Sequence, residues 1–428
     1  MQFYSTAQQS PLTDWKTVVF RGLAPDSGLF MPERIPTVWT SDLYPSSLPE
    51  IGYAVARAFL PAELISDKAL RTLVEESLNF PIPLVALDEQ IHTLELFHGP
   101  TLAFKDVGAR FMARIMGFLR EPSEELVVLA ATSGDTGSAV ASGFFDVPGI
   151  RVVLLFPKGR VSRLQEQQLT TWGHNITALE VSGTFDDCQR LVKMAFQDQT
   201  LRKRLTLTSA NSINFARLLP QSFYYFYALA QLPKEKRKKV VFAVPSGNFG
   251  HLTAGLLAER MGMPVQYFIA ATNANDVVPE YLSTGKFQPR PSIPTISNAM
   301  DVGNPSNFDR MLALFGGDHA AMQARVRGFC LNDAQTTAVL QDIYTQHHYL
   351  ADPHGAIGYA ALKHYLAPDE TGIFLETAHP SKFGEPVTAA TGEVPPMPER
   401  LSQTLQKQKQ STPLSAQWED FRDFLLNF

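Results

Sequence analysis

Lys105 follows Phe104 in the segment His98-Gly99-Pro100-Thr101-Leu102-Ala103-Phe104-Lys105-Asp106 and stands directly before a run that reads as a helix. An amine beside an apolar ring, partly desolvated, is neutral often enough to attack a carbonyl and form a Schiff base. A positive charge is also slightly unfavourable at a helix N-terminus. Taken alone, the ordinary reading is still the better one, since most lysines are solvated. The other loops change the balance.

Ser246-Gly247-Asn248-Phe249-Gly250 has the make-up of a phosphate cradle. Its two glycines let the backbone approach an anion and turn N–H groups inward, and the following helix adds its positive end. It lacks the Lys-Ser/Thr of a nucleotide P-loop, which argues against a nucleoside triphosphate. A tight strand-to-helix turn needing glycine explains the same spacing equally well. Thr132-Ser133-Gly134-Asp135-Thr136-Gly137 offers three hydroxyls at a helix start, suited to an amino-acid carboxylate. Asp135 or Thr136 acting as helix cap is the plainer alternative. Asn211, Ser212 and Arg217 supply an amide, a hydroxyl and a planar guanidinium, a set suited to a phosphate. A capped helix with a surface arginine is the alternative there. Thr377 closes the apolar run Ile373-Phe374-Leu375-Glu376 and reads either as a strand threonine or as a neutral partner for a ring nitrogen. His354, after Asp352-Pro353, reads as capping or core. The loop Asn298-Ala299-Met300-Asp301 has no evident physical role.

These loops must be held by something. Short apolar runs at Leu126–Ala131, Val152–Phe156, Val240–Val244, Tyr267–Ala271 and Gly372–Thr377 alternate with helical patterns at Ser138–Phe145, Ser162–Trp172 and Leu252–Met261. Such alternation predicts α/β architecture, with parallel sheets flanked by helices. Ligands of open α/β sheets sit at the C-terminal ends of strands, where the singled-out loops fall. Before this region, Ile51–Leu60 and Ala69–Leu78 read as helices, and Pro81 and Pro83 mark a boundary. The expected division is an N-terminal domain over 1–88, a two-lobed catalytic core over 89–395, and a tail over 396–428. The tail reads as a polar linker, Gln403–Thr412, and a short amphipathic helix.

The chain of 428 residues is long enough for two or three domains, and a net charge of -5 argues against a nucleic-acid partner. The basic run Lys234-Glu235-Lys236-Arg237-Lys238-Lys239 reads as a solvated turn. Two distant cysteines, Cys188 and Cys330, make neither a disulfide framework nor a metal site. No signal peptide and no membrane span is read, so the expectation is a cytoplasmic protein without metal or membrane partner.

The segment around Lys105 resembles the pyridoxal-phosphate lysine segment of the threonine synthases of bacteria and fungi. Thr132–Gly137, Ser209–Asn214, Pro245–Gly250 and Thr377–Pro380 agree with the family and occur in its order, and the likeness runs from Gly28-Leu29-Phe30 to about Glu385. The resemblance implies fold type II of the pyridoxal-phosphate enzymes, the tryptophan synthase β-like class, with an N-terminal α/β domain. It implies pyridoxal 5'-phosphate carried on Lys105. Asp135 would lie near the phenolic oxygen, Gly247, Asn248, Phe249 and Gly250 around the phosphate, and Thr377 at the ring nitrogen. His251 replaces the family's usual carboxylate and would donate to the phosphate. Thr132, Ser133, Thr136, Asn211, Ser212 and Arg217 would hold the substrate. The implied reaction turns O-phospho-L-homoserine and water into L-threonine and phosphate, the last step of threonine biosynthesis, in a monomer or homodimer. A phospho-lyase or dehydratase of the same fold is the alternative, and a cofactor-binding protein without turnover is a third reading.

Overall fold

Leu126–Ala131 and Val240–Pro245 are buried along their whole length. A strand with no exposed face needs cover on both sides. The computed structural model, which describes every residue except Ser41, Asp42, Pro45 and Ser133, supplies that cover in two compact units. The larger unit comprises Met1, Met31–Phe104 and Leu218–Pro396. The smaller comprises Gln2–Phe30, Lys105–Arg217 and Met397–Phe428. These units are discontinuous and cut across the linear division at residues 88 and 395. The chain passes from one to the other at Phe104–Lys105 and again at Arg217–Leu218.

The sheet of the larger unit has six strands, in the order Val326–Cys330, Tyr267–Thr272, Val240–Pro245, Thr371–Glu376, Ile91–Glu95, Leu84–Ala86. All pairings are parallel except the last, a hairpin at the edge. The helix Pro353–Tyr365 packs its small face, with Gly358 against Phe374, over this sheet. Val241, Ile269, Phe374, Ile357 and Leu362 join in one core.

The smaller unit holds five parallel strands, in the order Thr412–Ser415, Ile176–Ser182, Ile150–Pro157, Leu126–Ala131, Thr206–Ser209. Its core gathers Leu129, Leu155, Val181, Leu191 and, from the C-terminal helix Trp418–Leu426, Phe421 and Leu425. Tail and sheet are therefore one packing unit. The stretch read as a polar linker contains the end of a helix, Glu399–Leu405, and leads into an edge strand. Phe3, Trp15 and Phe215 meet edge to face with centroids 5.2–5.7 Å apart, fixing the N-terminal helix Trp15–Arg21.

The expected elements recur with shifted ends. Ile51–Leu60 is Leu48–Phe59, opened by a Ser47/Glu50 capping box, and Leu252–Met261 is Gly250–Arg260. Lys234–Arg237 is a solvated 3₁₀ turn. Among the described residues no helix is long and apolar enough to cross a membrane, and both cysteines are free thiols.

Candidate active site

Lys105 opens the helix Lys105–Leu119, which lies against the helix Asp135–Phe144. The approach is close because Gly143 faces the backbone of Ala109, where a Cβ would come within 2.9 Å. Lys105 is 16% exposed and its Nζ lies 3.9 Å from Oδ2 of Asp135, which is 3% exposed. Asp135 Oδ1 accepts from Gln165 Nε2 at 3.2 Å. Asp135 is the first helical residue and not the cap, which is Gly134 at φ 148°. The turn is organised by Thr132, whose hydroxyl accepts the N–H of Gly134 at 3.0 Å and of Gly137 at 2.8 Å. Thr132 therefore shapes this loop, and Thr136 is half-exposed beside it. Ser133 lies outside the described residues.

In the larger unit, the segment leading to Lys105 is fastened at nearly every residue. Phe104 N–H donates to Thr377 O at 2.9 Å, His379 N–H to Leu102 O at 3.1 Å, and Ala103 bridges Ala378. Leu102 takes the left-handed conformation, φ 59°. Lys382, buried, donates its Nζ hydrogen to Thr101 O at 3.0 Å. Tyr224 O–H donates to Phe104 O. The His251 ring stacks flat on Phe104, centroids 4.6 Å apart and planes 5° apart, with Tyr224 and Tyr225 edge-on at 5.5 Å. His251, expected at a phosphate, is thus placed as a wall behind the residue that precedes Lys105. The sequence signal for this wall is the aromatic run Phe223-Tyr224-Tyr225-Phe226.

The loop after Val240–Pro245 has the geometry of an anion cradle. Among the described residues no backbone carbonyl accepts from the N–H of Gly247, Asn248, Phe249 or Gly250. Phe249 is left-handed, φ 58°, and caps the helix Gly250–Arg260. The missing Cβ of Gly247 points at backbone, 2.8 Å from Met300 Cα and 2.9 Å from Ala299 O. This gives the Asn298–Asp301 loop a physical role as a backing plate. It is pinned by Asp301, which accepts from Thr295 Oγ1 at 2.8 Å and Asn273 Nδ2 at 2.9 Å. Burial pushes the Asp301 carboxyl above its ordinary range. Asn248 is held from the other side by Ser306 Oγ at 3.1 Å and by the N–H of Asn307 at 3.2 Å. Asn307 Oδ1 accepts from the fully buried Arg310, whose pKa burial pushes down to about 9. Open amides, a helix N-terminus and a buried guanidinium one residue behind form a set that fits a phosphate.

Thr377 sits just past the strand Thr371–Glu376, buried, at the C-terminal edge of the sheet. Its hydroxyl is 3.5 Å from Asp352 Oδ2. Neighbouring His379 has its pKa lowered to about 4, first by burial and then by His98.

In the smaller unit, Asn214 fixes the loop after Thr206–Ser209 by donating to Val19 O at 2.9 Å and Ser209 O at 3.3 Å. Arg217 is buried, not on the surface, and one guanidinium nitrogen donates to Ala210 O. Asn211 and Ser212 are half-buried, and the Asn211 side-chain oxygen is buried without a hydrogen-bond partner.

The chain is a pyridoxal-phosphate-dependent enzyme, matching that family description over residues 79–375. Flanking matches are specific. Residues 2–78 match the threonine synthase N terminus and residues 355–425 the threonine synthase C-terminal region. The chain belongs to the threonine synthase family. It is 44% identical over 427 residues to the threonine synthase of Haemophilus influenzae, with 100% of both chains covered. The crystal structure of the Escherichia coli threonine synthase superposes with a TM-score of 0.93 at 40% identity, covering 100% of each chain. The pyridoxal-phosphate-bound threonine synthase of Brucella melitensis gives 0.93 at 34% identity, covering 100% of this chain and 99% of its own.

Proposed function

We propose that the chain turns O-phospho-L-homoserine and water into L-threonine and phosphate with Lys105 as the catalytic residue, in the cytoplasm and as a monomer or homodimer. The observation that carries this is the placement of Lys105 Nζ 3.9 Å from the buried Asp135. Lys105 would be the residue that holds the cofactor. The chemistry supplied by the bound cofactor would be a sink for the electron pair released at the substrate's Cα. The Lys105 amine would move protons at the substrate's Cα, Cβ and Cγ. Asp135 keeps that amine charged or hydrogen-bonded between transfers. The amides of Gly247, Asn248, Phe249 and Gly250 hold the cofactor phosphate, with Arg310 as buried countercharge. Asn211, Ser212 and Arg217 hold the substrate phosphate, and Thr136 its carboxylate. His251 supports Phe104 by stacking on it. Overall, phosphate leaves Cγ with a proton from water, the proton lost at Cβ is matched by one gained at Cγ, and the hydroxyl of water adds at Cβ.

The deciding experiment incubates purified holoenzyme with O-phospho-L-homoserine and identifies the products. Threonine with stoichiometric phosphate is expected. A 2-oxo acid would replace this reading with that of a phospho-lyase, and no turnover would leave a binding protein.

A further inference from the structure

Asp352 stands directly behind Thr377 and is used by no step above. It caps the helix Pro353–Tyr365 and is 0% exposed. One oxygen accepts the N–H of His354 and, at 3.0 Å, that of Gly355, and faces His354 Nδ1 at 2.8 Å. The other accepts the N–H of Ala378 at 2.8 Å and lies 3.5 Å from the Thr377 hydroxyl. Donors thus surround both oxygens, which is the environment of a carboxylate at a helix N-terminus.

The neighbouring carboxyl is held differently. Glu376 is fully buried and its pKa lies well above the ordinary range, through burial first and the Asp352 charge second. Its Oε1 accepts the Asp352 N–H, while Oε2 has no hydrogen-bond partner and sits against Gly355. Two adjacent buried carboxyls cannot both be charged. Further groups face this pair. Glu95, bonded to Tyr349 at 3.0 Å and His98 at 2.6 Å, acts on Glu376. His379 feels the Asp352 charge, and His354 faces Asp301.

A hydroxyl has one hydrogen. If Thr377 donates it to a ring nitrogen, that nitrogen is unprotonated. If Thr377 donates it to Asp352, only its lone pair faces the ring, which favours a protonated nitrogen. We propose that Asp352 is a positioning residue that turns the Thr377 hydroxyl toward itself and thereby raises the proton affinity of the cofactor's ring nitrogen. This rests on the reading that Thr377 faces that nitrogen. It reverses the simple expectation that a threonine partner leaves the ring unprotonated. Helix capping alone would leave the ring unaffected.

The test loads the enzyme with cofactor carrying a ¹⁵N ring nitrogen and follows its chemical shift against pH. Asp352→Asn should lower the ring nitrogen's apparent pKa by about one to two units, the size expected for removing one charge at this range. His354→Phe, which keeps the edge contact to Phe383 and removes a donor from Asp352, should raise it in either protonation state of His354. Glu376→Gln should leave it unchanged, since burial already disfavours the charged form of Glu376. If Asp352→Asn does not fold, His354→Phe decides. A shift in Thr377→Val with none in Asp352→Asn or His354→Phe overturns the proposal and keeps the Thr377 reading. No shift in Thr377→Val removes that reading and the proposal with it.

Discussion

Gly247→Ala tests whether the cradle is held from behind. The added Cβ would lie 2.8 Å from Met300 Cα and 2.9 Å from Ala299 O, against ordinary contact from 3.4 Å. Met300 would have to retreat by 3.4 − 2.8 = 0.6 Å and Ala299 O by 3.4 − 2.9 = 0.5 Å. Both are backbone atoms, and the loop is anchored by Asp301 to Thr295 and Asn273. It cannot yield by rotating a side chain. Overpacking of this kind costs about 1–3 kcal/mol. A loss of about 2 kcal/mol lowers the midpoint of a unit this size by roughly 4–8 °C. The strain belongs to the protein, so apo and holo enzyme should both lose it. If the loop relieves the clash by moving the Gly247 amide, one charge-assisted bond to phosphate goes too, about 1.5–3 kcal/mol or 10- to 150-fold in cofactor affinity. The assay is thermal unfolding of both forms, with pyridoxal-phosphate titration by absorbance. Gly384→Ala is the control, since its Cβ meets nothing within 4 Å. An apo melt equal to the parent's would refute the backing-plate argument.

Lys105→Ala should lose turnover by several orders of magnitude, because covalent and proton-transfer roles vanish together; peptide mapping after borohydride treatment of the parent should find the cofactor on Lys105 and on no other lysine. Arg217→Lys keeps the charge and loses the planar fork. It should weaken substrate about 10- to 150-fold and leave cofactor affinity intact; release of cofactor instead would mean the two phosphate sites are exchanged. His251→Asp should destabilise the protein by about 2–4 kcal/mol, since a carboxylate would replace a ring stacked on Phe104, and His251→Phe should recover most of it in the same melts. Glu376 has a raised folded-state pKa, so its contribution is complete below the unfolded value near 4.5 and is lost as pH rises toward the folded value. Glu376→Gln should therefore gain stability over the parent as pH increases, a difference that denaturant titrations at pH 4 and pH 8 would expose as absent and present.

Legibility followed the range of the interactions. Leu126–Ala131 was readable with its true ends because a fully covered strand is an unbroken apolar run. Ile91–Glu95 was not, because His92 and Thr93 are buried polar residues whose pairing with Thr371–Glu376 lies far away in sequence. Thr412–Ser415 was hidden for a related reason: a short, exposed edge strand has no apolar pattern. Lys105 and the Gly247 loop are local patterns and announced themselves. Asp352, Lys382 and Arg310 did not, since an aspartate capping a helix and a buried one behind Thr377 are spelled alike. Gln403–Thr412 reads as a linker because it is almost wholly polar, although it contains the end of the helix Glu399–Leu405 and leads into the edge strand Thr412–Ser415.

That last strand and helix also bear on how the protein is made. Thr412–Ser415 completes the sheet of the smaller unit, and Phe421 and Leu425 complete its core. The same unit begins at Gln2. While the ribosome still holds the C-terminal stretch, the strand Ile176–Ser182 has an open edge and the core beside Leu191 lacks its cover. Folding from the N-terminus as synthesis proceeds cannot finish this unit before residues 412–426 have emerged. Until then the nascent chain offers an unpaired strand edge and bare apolar surface, the features that invite pairing with another strand.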